Sequence, residues 1–165
     1  MNLGSHLLSE IISWHRASAA VADTTSESLS TVEDMDDCDG VLFAVEYGDV
    51  DAAAVLTHTV KENTASSTSS PTPTAVSLLG AVVEGSVTAV VSTGAAVITE
   101  SGGNLDNKTV LIDVPKSRLT KRYAFLSITV ATESYELVGI TAIKYRLRDL
   151  PATQGSGVVS IVKAA

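Results

Sequence analysis

DDCDGVLFAVEYGDVDAAAVLTHTVK, residues 36–61, sets two apolar runs on either side of Gly48-Asp49-Val50-Asp51. In the first run Val41, Phe43, Val45 and Tyr47 alternate with Leu42, Ala44 and Glu46. That period of two marks a strand, and its near-continuous apolar character suits one covered on both faces. The second run, Ala53 to Lys61, places Val55, Thr57, Thr59 and Lys61 on one face. Ala54, Leu56, His58 and Val60 take the other. Between the runs, glycine offers positive φ and aspartate bonds its own backbone, so the segment reads as a turn and the whole as a β-hairpin.

The rest of the chain is organised outward from this pair. Upstream, Leu7, Leu8, Ile11 and Ile12 follow helical spacing, with Trp14 close by and Ser5 as a cap. This is a short helix packed on the domain, or an arm that docks on a neighbouring subunit. Residues 17–32 suggest two short strands around the polar turn 23–26, and 33–39 is an acidic turn closed by Gly40. Residues 62–74, ENTASSTSSPTPT, have the composition of a flexible surface loop. The Val/Ala/Gly-rich stretch 75–100 holds a short turn or helix near 76–79 and strands near 86–91 and 96–100; a turn follows at 101–107.

Further strands are expected at 109–114, 123–131 and 135–147, the last with a bulge at Gly139. After Pro151, a Gly155-Ser156-Gly157 hinge leads to Val158–Val162, a last strand or an extended arm. About eight short strands with Gly, Asp and Pro turns predict an all-β fold, a β-sandwich or jelly-roll-like domain. Its expected extent is 23–150, with an N-terminal arm or short helix over 1–22 and a tail over 151–165.

Bulk properties narrow the function. A chain of 165 residues is expected to make one domain, or one domain with arms. A net charge of −8 argues against nucleic-acid binding, which needs a basic face to displace counterions. The single cysteine, Cys38, excludes an intramolecular disulfide. No basic leader segment opens the chain, and no apolar run approaches the ~18–20 residues of a membrane span. The expectation is synthesis in a cytoplasm, with no membrane association. Without a secretory route, Asn107-Lys108-Thr109 is a chance match to a glycosylation acceptor.

Tests for chemistry fail one after another. Asp37-x-Asp39-Gly40 with Glu46 has calcium-loop spacing, but Met35 holds the first ligand position. His6, His15 and His58 lack metal-ligand spacing, and His58 is expected as a surface or partly buried ring. There is no Gly-x-Ser-x-Gly elbow, phosphate loop or dinucleotide fingerprint. Carboxylates near Cys38 would raise its pKa and disfavour a thiolate. Aromatics at 4% poorly supply a sugar cleft. The expectation is a protein that is not an enzyme and holds no metal or cofactor.

One cationic group stands out in this acidic chain: Lys116, Arg118, Lys121 and Arg122, with Lys144, Arg146 and Arg148 alternating along the last strand. It is either an ordinary charged turn or a stripe that orients the protein on an acidic partner. The expected contact residues are these cations, Leu7, Leu8, Ile11 and Trp14 in the N-terminal segment, and Val158 and Ile161 in the tail.

The motifs also carry a resemblance. Asp39-Gly40-Val41-Leu42-Phe43, then Gly48-Asp49-Val50-Asp51-Ala52-Ala53, then Asn107-Lys108-Thr109-Val110-Leu111-Ile112-Asp113-Val114, then Lys121-Arg122-Tyr123 occur in this order. With Tyr145-Arg146-Leu147-Arg148 and Pro151-Ala152-Thr153-Gln154, the series over 34–154 resembles small tailed-bacteriophage virion proteins, the head decoration (cement) or minor capsid family. The long Ser/Thr/Pro loop and the stretch 75–100 depart from that pattern. The resemblance implies a virion structural protein on the outer surface of an icosahedral capsid. Its implied partners are the major capsid protein, whose subunits it bridges, and itself, as a homotrimer or homodimer. Competing expectations are a neck, tail or receptor-contacting virion component, and a carbohydrate-binding β-sandwich module.

Overall fold

The alternating apolar pattern folds as strands almost throughout. The computed structural model describes residues 12–77, 82–83, 87–88, 90–92, 95–99 and 105–145, with side chains described in 16–77 and 105–145. Leu7, Leu8, Ile11, Arg146, Arg148, Val158, Ile161 and the whole 151–165 tail therefore lie outside the described residues.

Four short strands come first: β1 (Ile12–Ser18), β2 (Val21–Thr24), β3 (Ser28–Leu29) and β4 (Glu33–Asp34). Two long ones follow, β5 (Gly40–Val50) and β6 (Val55–Asn63). Then come β7 (Thr74–Ala75), β8 (Val82–Val83), β9 (Val87–Thr88), β10 (Val90–Ser92) and β11 (Ala95–Thr99). The chain continues through β12 (Thr109–Pro115), one 3-10 turn (Lys116–Arg118), β13 (Tyr123–Val130) and β14 (Tyr135–Tyr145). Ile12, assigned above to a helical stripe, instead opens β1, which pairs antiparallel with β14 and sets Trp14 opposite Ile143.

These strands form two antiparallel sheets, an all-β sandwich. The first runs β1-β14-β5-β12-β8-β9, with β2 also on β14. The second runs β10-β11-β6-β13-β3, with β4 on β13 and β7 on β6. Between them lies the core. It takes Val41, Phe43, Val45 and Tyr47 from β5; Leu56, His58 and Val60 from β6; and Val110, Ile112 and Val114 from β12. Leu126 and Ile128 of β13 and Leu137, Ile140 and Ala142 of β14 also enter it.

The hairpin expected at 36–61 is not one. β5 pairs with β12 and β14, whereas β6 pairs with β11 and β13, so the link between them crosses from one sheet to the other. The segment read as a turn is held extended by the approach to β12. Tyr47 N donates to Lys108 O at 3.0 Å, Asn107 N to Gly48 O at 2.9 Å, and Val50 N to Asp106 Oδ1 at 3.1 Å. Gly48 does not adopt left-handed φ; its missing side chain makes room for the Glu136 carboxylate. The true turn comes just later, where Ala53 takes φ 70° and Ala54 N donates to Asp51 O at 3.0 Å. Asp51 in turn accepts from Ser134 N (3.1 Å) and Ser134 Oγ (2.6 Å), tying this link to the β13–β14 link.

The bulge expected at Gly139 is present: the register of β14 against β5 shifts between Leu137 and Gly139. There the Arg16 guanidinium donates to Ser18 O at 3.0 Å and Val138 O at 2.6 Å, bridging strand β1 to the bulge.

Candidate functional site

Strand register decides what the cations do. β4 meets the start of β13, with Asp34 opposite Tyr123, so Asp34 lies beside Arg122. Arg122 grips it with two bonds, Nε to Oδ1 at 2.9 Å and a terminal nitrogen to Oδ2 at 2.6 Å. Its Nε also lies 3.2 Å from Asp36. Lys116 reaches Asp36 at 3.6 Å. Lys144, with only 14% of its side chain exposed, donates to both Asp37 oxygens at 3.0 and 3.1 Å and to Asp34 O at 3.3 Å. The Arg122 bonds, aided by the Asp36 N–H and by Lys144, hold the Asp34 carboxyl below its ordinary range despite partial burial.

Three of the cations expected to dock on a partner thus close onto the chain's own acidic turn. Lys121 donates to Thr74 Oγ1 at 2.6 Å, on β7. Arg118 is exposed on its 3-10 turn and, among the described residues, makes no hydrogen bond or ion pair. The sequence offered a signal for this pairing, since five acids fall within 33–39, but not the register that brings them to the cations.

Beneath the acidic turn, Met35 and Cys38 are fully buried, with Sγ 3.9 Å from Sδ. Burial first, with Asp37 adding, pushes the Cys38 thiol up to about 11, although Lys144 and Lys116 pull the other way. The direction is the one expected from the sequence; its main cause is desolvation rather than neighbouring charge.

His58 is fully buried rather than a surface or partly buried ring. Its Nε2 lies 2.6 Å from the Tyr47 hydroxyl, a hydrogen bond that spans the core from the second sheet to the first. Tyr135 packs edge-on against Tyr47, and its hydroxyl reaches Ser28 Oγ at 2.7 Å and Ser26 O at 3.1 Å. Burial drives the Tyr47 pKa well above its usual value and raises that of Tyr135. A pair so enclosed joins the sheets and offers no open face to a substrate.

The Ser/Thr/Pro loop is built rather than featureless. Buried Asn63 at the end of β6 donates to Ser67 O at 2.8 Å and Pro71 O at 2.9 Å. Its carbonyl oxygen accepts from Thr64 N at 2.7 Å and Ala65 N at 3.4 Å. Ser67 Oγ accepts from Ser69 N and Ser70 N. An amide bonded on both ends organises a loop whose composition alone signals flexibility. Asn63→Ala is expected to lower stability by about 1–3 kcal/mol, the cost of leaving buried groups unpaired. It should also open 64–73 to protease, as limited digestion with a thermal melt would show.

Among the described residues, no group of three or more His, Cys, Asp or Glu side chains is placed to hold a metal ion. Nor is any helix there long and apolar enough to cross a membrane. No protein-family model matches the chain, and a search of curated proteins finds no match. The likeness to phage virion proteins therefore rests on the residues quoted for it.

Proposed function

We propose that the chain is a tailed-phage virion protein that binds the outer surface of the icosahedral head and stabilises it by bridging major capsid subunits. The observation that carries this reading is the ordered motif series. Two of its segments pack as neighbours: β12 lies along β5 from Thr109 opposite Glu46 to Pro115 opposite Gly40. The third, Lys121-Arg122-Tyr123, opens β13. A sandwich that turns Lys116, Arg122 and Lys144 onto its own acidic turn and bonds Tyr47, His58 and Tyr135 inward suits a scaffold that works by contact. Repeated over a shell as a homotrimer or homodimer, weak contacts would add up through avidity.

The test is reconstitution. Heads lacking the protein should bind it at a copy number that follows the capsomers and should then resist heating better. A single ring of copies would indicate a neck component instead. Failure to bind, with heads equally stable in its absence, would overturn the reading.

A further inference from the structure

We propose that the outer face of the first sheet is the docking surface of this protein, and that its partner is a protein surface that is apolar at the centre and cationic at the rim. That the partner is a capsid subunit rests on the reading above; the partner's chemistry rests on the face itself.

Register lays the face out. Ile143 stands opposite Leu42, and Leu42 opposite Asp113. One step along, Thr141, Ala44, Leu111 and Val82 form the next row across β14, β5, β12 and β8. Leu42, Ala44, Leu111, Thr141 and Ile143 alternate with the core residues Phe43, Val45, Ile112 and Ala142, so they point away from the sandwich interior. Leu42, Ala44 and Ile143 remain partly exposed, and Leu111 is 39% exposed. Among the described residues, the exposed large hydrophobics are Val21, Leu111 and Val138, all on strands of this sheet. The second sheet's outward positions on β6 and β13 include Thr57, Thr59, Lys61 and Thr129, with Lys61 paired to Glu27 at 3.0 Å.

Charge selects the partner. Glu46 sits in the next outward row, exposed, and its carboxylate makes no hydrogen bond or ion pair among the described residues. Asp113 is also exposed and accepts one bond, from the Tyr145 hydroxyl at 2.7 Å. Arg16 turns to the backbone instead, donating to the Ser18 and Val138 carbonyls. An apolar strip bordered by exposed carboxylates complements cations and repels a second copy of itself.

The experiment uses the full chain, isotope-labelled, with a synthetic peptide of alternating Leu and Lys as probe. Amide shifts are expected to concentrate at Leu42, Ala44, Leu111 and Ile143. Peptides of alternating Leu and Glu, or Ser and Lys, should bind at least about tenfold more weakly, and Leu111→Arg should lose about tenfold in affinity. Leu111 is exposed, so the variant should melt as the parent does. Shifts elsewhere, equal binding of the three peptides, an unaffected Leu111→Arg, or self-association through this face would each overturn the proposal. On heads, binding of the parent with undiminished binding of Leu111→Arg refutes the face alone. Absence of binding by the parent refutes the decoration reading, and the peptide map still decides the face.

Discussion

Phe43→Ala is expected to lower the unfolding free energy by about 3–5 kcal/mol, the range for emptying a buried aromatic site. Phe43 is fully buried at the middle of β5, between Ile112 of β12 and Ala142 of β14. Both flanking strands are hydrogen-bonded ladder partners, so the backbone has little freedom to collapse into the vacancy. Leu42→Ala, one residue away on the outward face, should cost no more than about 1.5 kcal/mol, because a half-buried side chain surrenders less apolar area. Urea unfolding of both variants at unchanged m-value checks the pair. A reversed order would mean that β5 presents its other face to the core, since a one-residue slip exchanges the two.

Glu62→Ala comes next, with an expected loss of about 3 kcal/mol, from losing bonds to a carboxylate and stranding their donors. Glu62 is 6% exposed and accepts from Thr120 N (2.7 Å), Thr120 Oγ1 (2.6 Å) and Lys121 N (3.1 Å). It thereby fixes the bend that carries the chain from β12 into β13. Burial raises its pKa, but the bonds from Thr120 and Lys121 outweigh burial and leave it below 4.5. Glu27 is lowered from 4.5 by Ser127 and Lys61, and Asp51 from 3.8 by Ser134. Asp34 joins them through Arg122. A carboxylate depressed on folding contributes stability that is whole above its unfolded pKa and lost as pH falls through its folded one. Stability should therefore decline on acidification through and below the 3.8–4.5 range of the free carboxyls. Glu62→Gln should start lower at neutral pH and lose less on the way down, and chemical denaturation across pH measures both. A Glu62→Gln curve parallel to the parent's would remove Glu62 from the account.

Strand positions were legible because alternation is local. Val41 to Tyr47, 109–114, 123–131 and the bulge at Gly139 all show in the spacing of side chains, and each falls on a strand of the sandwich. Which strand pairs with which was not legible. A period of two is the same whether the next strand lies beside the first or across the core from it. Gly48-Asp49 carries turn chemistry, yet backbone groups of Asn107 and Lys108, some sixty residues later, keep Gly48 in the strand. Ala53, with no turn signature, takes the left-handed position instead.

The cationic group shows the same limit. Its charges were plain in the sequence, but their partners at Asp34, Asp36 and Asp37 depend on where β4 and β14 end. The burial of His58 is not legible in its own strand because its partner, Tyr47, lies on the opposite sheet. The outward positions Leu42 and Leu111 were visible as members of apolar runs, and only the register separates them from the core.

The crossing link between β5 and β6 has a consequence for how the molecule comes into being. As the chain emerges from the ribosome, β5 appears early, yet its ladder partners are 109–115 and 135–145. β6 meets β7 and β11 sooner, but its longest ladder waits for 123–130. The long ladders of the first sheet close only late, and loop-closure entropy must be met before the sandwich returns any of it, which places folding in the slow, millisecond-to-second class of all-β domains. Until β14 is made, Val41, Phe43 and Val45 have no complete sheet to enter, so a nascent chain halted before 135 is expected to associate with its neighbours rather than fold.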